Sequence, residues 1–166
     1  MANRFTAAGS APDEGGLRLS NGGTDVLFDV LTLAGCARAE TAWEQHLVLH
    51  FADGHRIGRG TSGFDLCELP WTADWAAEKA FFLRMIDTAL DRYGWDRLRY
   101  DPPLVAASLA TYRAMVAQFT PAPSPSPEDW TIAPPPELLV RCPAHDLFQG
   151  ELGCRLCDPD IQPIGR

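Results

Sequence analysis

Leu17-Arg18-Leu19-Ser20-Asn21-Gly22-Gly23-Thr24-Asp25-Val26-Leu27-Phe28-Asp29-Val30-Leu31-Thr32-Leu33 is the stretch on which the fold turns. Leu17 and Leu19 alternate with Arg18, the period of a short strand. Asn21-Gly22-Gly23 tolerates positive φ and reads as a hairpin turn. The apolar run from Val26 to Leu33 then reads as the returning strand.

Working outward, Trp43 to Phe51 reads as a third strand. Leu47, Leu49 and Phe51 fall on one face, with His46, Val48 and His50 on the other. Asp53-Gly54 is the next turn. His55 to Arg59 would return antiparallel, and Phe64, Leu66 and Leu69 continue the alternation toward Pro70. The period then changes. Thr72 can cap a helix from Ala73 to Tyr93, whose stripe is Trp75, Phe82, Ile86, Ala89, Leu90 and Tyr93. Gly94 supplies the stop. Asp101-Pro102 opens a second helix, with Val105, Leu109, Tyr112, Val116 and Phe119 on one face, ended by Pro121. The expectation is an α+β fold: an antiparallel β-meander of four or five strands packed by two amphipathic helices.

The expected organisation is a mobile, disordered N-terminus over 1–15, a core domain over 16–119, a proline-rich linker over 120–136 and a zinc-binding tail over 137–166. Seven prolines fill the linker, from Pro121 to Pro136, and give it a semi-rigid, extended character. Trp130 and Ile132 interrupt it, and a tryptophan there calls for apolar cover.

With 166 residues, 46% of them hydrophobic, the chain has enough apolar side chains for a core. Its net charge of −8 repels a nucleic-acid backbone and favours a basic protein partner. Apolar runs are too short for a membrane span, and the first residues lack the apolar region of a secretory signal. The five cysteines are an odd number, and three lie at metal-ligand spacing beside a histidine. That favours thiols and metal over disulfides, hence a reducing, cytoplasmic setting.

The ligand spacing is Cys142-Pro143-Ala144-His145, eight residues, then Cys154-Arg155-Leu156-Cys157. Two-residue spacing turns each pair of side chains onto one cation, and Zn²⁺ prefers four such soft ligands in a tetrahedron. Between Cys142 and Cys157 the chain resembles the short zinc ribbons and zinc knuckles, in which two such pairs face each other. The eight-residue spacer is short, and one ligand is histidine. A closed set of four ligands leaves no position for water or substrate, so the zinc expected here is structural. Three thiolates and a neutral imidazole leave the site at −1, which Arg141 and Arg155 can partly offset.

His46 and His50 would share a strand face but stand about 13 Å apart at about 3.3 Å per residue, too far for one ion. Cys36 and Cys67 read as small buried residues. Gly58 to Gly63 lacks the Lys-Ser/Thr of a phosphate loop and reads as a turn. Glu78 and Lys79 flank the apolar stripe, and Phe81 projects away from it. These three residues are the expected partner contact, with docking of Phe81 under the linker as the alternative. The functional expectation is a non-catalytic protein-binding or regulatory protein, of adaptor or inhibitor type. The alternatives are an enzyme using His46, His50 or His55 on a sheet face, and a nucleic-acid-binding zinc module.

Overall fold

The computed structural model describes residues 3–7, 16–56, 62–102, 104–125 and 129–159. It is dominated by four helices: α1 (Asn21–Cys36), α2 (Ala42–Ala52), α3 (Trp75–Leu90) and α4 (Val105–Gln118). The sheet among the described residues has two strands, β1 (Asn3–Phe5) and β2 (Leu17–Leu19), paired antiparallel with Arg4 opposite Arg18.

The expected meander of four or five strands is therefore replaced by helices, and the reason lies in Ser20 to Cys36. Ser20 is an N-cap rather than the residue before a hairpin turn. Its side chain accepts from the Gly23 amide at 3.0 Å, and its carbonyl accepts from Thr24 at 2.9 Å. Every residue from Thr24 to Cys36 is buried. A helix buried on all sides shows no exposed polar stripe, so its sequence resembles that of a buried strand. It can exist because α2, α3, α4 and β2 all pack against it. At Gly35 the packing is closest. A Cβ there would lie 2.5 Å from Val48 Cγ2 and 2.8 Å from Met85 Sδ, so only glycine lets α2 and α3 come this near.

The expected strand over Trp43–Phe51 is α2. Thr41 and Glu44 form a capping box: Thr41 Oγ1 accepts from the Glu44 amide, and Glu44 Oε2 accepts from the Thr41 amide. Trp43, Leu47, Val48 and Phe51 then fall on one face at helical period, and all are buried. The expected return from His55 to Arg59 lies partly outside the described residues. His55 itself has φ 53, a turn conformation.

The first expected helix is present as α3, somewhat shorter than anticipated. Phe81, Phe82, Met85, Ile86 and Ala89 are buried, while Tyr93 is exposed. The buried face is wider than one stripe because α3 packs against α1, α2 and α4. In α4, Val105, Leu109, Tyr112 and Val116 are buried, and Phe119 is buried just beyond its end. They pack chiefly against α3 and α1, and Tyr112 also meets Phe5 of β1. Leu109→Ala should cost about 2–5 kcal/mol, the range for an emptied core site. Urea unfolding monitored by circular dichroism checks this, and no measurable loss would place the face in solvent.

Two segments add to the core from outside the helices. Asn3–Phe5 belongs to the stretch expected to be mobile, yet it forms β1, and Phe5 is fully buried. Its ring meets Phe28, Phe64 and Tyr112 at centroid distances of 5.9, 5.6 and 5.5 Å. Trp130, in the proline-rich segment, is also buried. It packs on Trp43 at 5.5 Å, stacks on His46 at 5.6 Å and 11°, and meets His50 at 5.8 Å. The Ser124 amide donates to Trp71 O at 2.8 Å, so the described parts of this segment lie along the helices.

Candidate metal centre

Local backbone brings the two halves of the tail together. Arg141 and Phe148 form an antiparallel bridge, and the Cys142 amide donates to Leu147 O at 2.8 Å. This narrow loop holds Cys142 and His145 on one side, with Asp146 in the left-handed region at φ 57. Gly153 has φ 82, a backbone that favours glycine, and it redirects the chain into the second pair. The Cys157 amide then donates to Cys154 O at 3.1 Å, closing a turn that aims both sulfurs the same way.

The ligating atoms of Cys142, His145, Cys154 and Cys157 all lie within 4.8 Å of one another. Nδ1 of His145 is 3.7 Å from Cys142 Sγ, 3.6 Å from Cys154 Sγ and 3.3 Å from Cys157 Sγ. Cys142 Sγ and Cys157 Sγ are 3.6 Å apart. A tetrahedron with bonds of about 2.3 Å to sulfur has edges of about 3.8 Å. The spacing thus matches the coordination shell of one small cation.

Proton affinities within the cluster are uneven. Burial raises that of Cys142, but hydrogen bonds from the Ala144 and His145 amides and the His145 ring outweigh it and bring the thiol down to about 6. Burial pushes Cys154 up to about 12 and raises Cys157 as well. Capture of a cation by these sulfurs would displace the thiol protons they carry.

The centre is seated on the helices by arginines. Arg56 donates to Gly153 O at 2.8 Å and to Asp158 at 2.9 Å. Arg97 donates to His145 O at 3.2 Å, and Arg99 to Leu156 O at 2.7 Å. Arg141 reaches Cys36 O at 2.6 Å, while the Phe148 amide donates to Cys36 Sγ at 3.3 Å. Arg155 turns away from the sulfurs and into the core, where it is almost wholly buried. Its Nε meets Asp29 Oδ1 at 2.5 Å, and Nη2 lies 3.5 Å from Asp25. Its Nη1 donates to Phe51 O, Ala52 O and Gly54 O at 3.0, 3.1 and 2.9 Å. Those carbonyls belong to the end of α2, where the helix leaves acceptors without intrahelical partners.

The chain matches no protein-family model, and neither a curated protein nor a solved structure matches it.

The other candidates fall elsewhere. Phe81 is fully buried, with the Arg84 guanidinium 5.9 Å from its ring centre, so it offers no exposed contact. Glu78 is buried and accepts from the Thr72 amide at 3.0 Å and from its hydroxyl. Lys79 donates to Ala117 O and Phe119 O, each at 2.8 Å, closing the end of α4. Phe81 is thus packed in the core, while Glu78 and the half-buried Lys79 brace neighbouring segments. The physical reason is that α3 has partners on several sides, so positions off the central stripe also meet protein.

His46 and His50 are four apart on a helix, not on a strand, and they clasp Trp130 where a metal pair might have stood. Burial lowers the His50 pKa to about 4, which keeps the ring neutral. His55 points elsewhere and bonds Asp25 at 2.7 Å. Cys36 is buried, and that burial pushes its thiol up to about 12. Cys67 is exposed, and its hydrogen bond with Asp65 raises it to about 11. Of the glycine-rich stretch 58–63, residues 58–61 lie outside the described residues.

Sequence reading missed the partnership of Asp25, Asp29 and Arg155. A signal was present. Two carboxylates four apart inside an apolar run must find a cation if the run is buried. No helix among the described residues is long and apolar enough to cross a membrane.

Proposed function

We propose that the protein is a non-catalytic, protein-binding or regulatory molecule whose C-terminal segment is held by one structural Zn²⁺. The observation carrying this reading is the tetrahedral spacing of three sulfurs and one imidazole nitrogen. All four corners are protein atoms, which leaves no corner for water or substrate. Thiolate and imidazole donors in this geometry favour zinc over hard cations, which prefer oxygen. Free thiols at such a site belong in a reducing compartment such as the cytoplasm.

The binding half of the proposal rests on charge and shape. The net charge is −8, so a basic protein surface is the complementary partner. A cleft of about 280 Å³ opens at the N-terminal ends of α2 and α3, lined by Trp43, Glu44, Asp74, Glu78 and Thr131 among others. Glu44 is engaged in a capping bond and Glu78 in bonds from Thr72, whereas the side chain of Asp74 makes no cap hydrogen bond and faces solvent. An arginine or lysine side chain of a partner fits that lining.

Protein purified without added metal should contain close to one zinc per chain by elemental analysis. Less than about a tenth of that would remove the zinc assignment, because structural sites hold their metal tightly. In pull-downs at low salt, the zinc-bearing protein should retain a basic partner that Asp74→Lys loses without a change in melting. Capture indifferent both to salt and to Asp74→Lys would sink the binding half.

A further inference from the structure

We infer that metal occupancy of the tail governs the folding of the helical core, and that Arg155 is the link between them. The inference rests on the metal reading above. Arg155 stands between the ligands Cys154 and Cys157, and the turn those ligands share fixes where its backbone lies. Its side chain crosses from that turn to the interior, where it faces two carboxylates one helical turn apart on α1.

Those carboxylates have other bonds but need the arginine. Asp29 is almost fully buried, and its second oxygen accepts from the Tyr100 hydroxyl at 2.5 Å. Asp25 accepts from His55 at 2.7 Å, and burial raises its pKa. A neutral hydroxyl and an imidazole stabilise the pair less than a fully buried guanidinium does. The same guanidinium also satisfies three carbonyls at the end of α2. One side chain from the tail thus meets the central helix and its neighbour together.

Without a cation, only weak hydrogen bonds of the sulfurs, Cys142 with Cys157 and His145 with Cys154 and Cys157, join the two halves of the tail there. The remaining anchors are the apolar side chains of Leu147, Phe148 and Leu156, the hydrogen bonds of Arg97, Arg99 and the buried Arg56 to tail carbonyls, and Asp53, which accepts from the Glu151 and Leu152 amides. Release of the turn withdraws Arg155 and leaves Asp25 and Asp29 buried without their cation. Helix α1 cannot hold that arrangement, and α1 is the helix against which the others pack. Loss of metal therefore reaches the core and is not confined to residues 141–157. The fold answers to the supply of a thiophilic divalent cation.

The test uses the full chain under reducing conditions, loaded with Zn²⁺ or stripped by a chelator. The stripped chain should melt well below the loaded one, with helical and tryptophan signals falling together, and added Zn²⁺ should restore both. In Asp29→Leu/Arg155→Met, an apolar pair replaces the ionic one. That variant should still bind one zinc per chain, while the gap between its loaded and stripped melts shrinks to less than half. Should it fail to fold, hydrogen exchange on the unaltered chain decides. Stripping must deprotect the α1 amides around Asp25 and Asp29. Deprotection confined to 141–157, equal loaded and stripped melts, or an undiminished gap in the folded double variant would overturn the inference. A chain that takes up no zinc at all would instead remove the metal reading beneath it.

Discussion

Arg155→Ala should destabilise the protein by about 3–5 kcal/mol, the usual consequence of removing one partner of a buried ion pair. The side chain is wholly buried, and its loss leaves Asp29, itself nearly inaccessible, without a cation. Three carbonyls at the end of α2 lose a donor in the same step. The planar face also leaves Phe28, whose ring centre lies 5.8 Å from the guanidinium carbon. Against a typical domain stability of about 5–15 kcal/mol, such a loss brings the variant close to unfolding. Urea titration of both proteins in their metal-loaded forms measures it. Arg155→Lys should recover only part, because an ammonium cannot bond Asp29 and three carbonyls from one planar fork. A loss below about 1 kcal/mol, the value of an exposed pair, would mean that water reaches the carboxylates once the arginine is gone.

Trp71→Ala should cost a comparable 3–5 kcal/mol or so, the range for emptying a large aromatic site. Trp71 lies almost fully buried where several segments meet. Its ring is 5.0 Å from Trp43 on α2 and 6.0 Å from Phe119 beyond α4. Its indole N–H donates to Leu66 O at 2.7 Å, and its own carbonyl accepts from Ser124. The cavity cannot collapse readily, because its walls come from helices fixed elsewhere. Trp71→Phe should lose less, since most of the ring remains and only the indole bond disappears. Equal losses for the two variants would shift the weight from packing to that hydrogen bond.

The sequence made the second half of the domain legible and misrepresented the first half. In α4, Val105, Leu109, Tyr112 and Val116 recur at helical spacing among small, mostly exposed residues, because only one face meets protein. Helix α1 has no such contrast. Val26 to Leu33 is apolar enough to be a strand, and periodicity alone does not distinguish a buried strand from a helix enclosed on all sides. The better guides were local. Thr41 and Glu44 spell a capping box three residues apart, and Ser20 sits one place before the helix it caps. Both signals describe helix starts directly, independent of what the helix later buries.

The cluster that could hold a metal was legible because the spacing of Cys142, His145, Cys154 and Cys157 is a local property. What surrounds them was not, since Arg155 meets Asp29 across 126 positions of chain. Arg155 was expected to offset the charge of the sulfurs. It lies between ligands, yet its side chain serves the opposite direction. The exposure expected of Phe81 failed for a related reason. A helix wheel shows which residues share a face but not how many neighbours the helix has.

The separation between Asp29 and Arg155 also bears on how the chain is made. Translation at about 5–20 residues per second needs roughly 6–25 s to add the 126 positions between them. Throughout that interval the nascent α1 holds two carboxylates whose guanidinium has not been synthesised. Burial at that stage would enclose unpaired charge, so α1 must keep that side toward water while α2, α3 and α4 emerge one by one. Its apolar sides are meanwhile open to the wrong contacts, during the period in which holdase chaperones act. The expectation is that full closure of the core comes late in synthesis, once Arg155 has arrived.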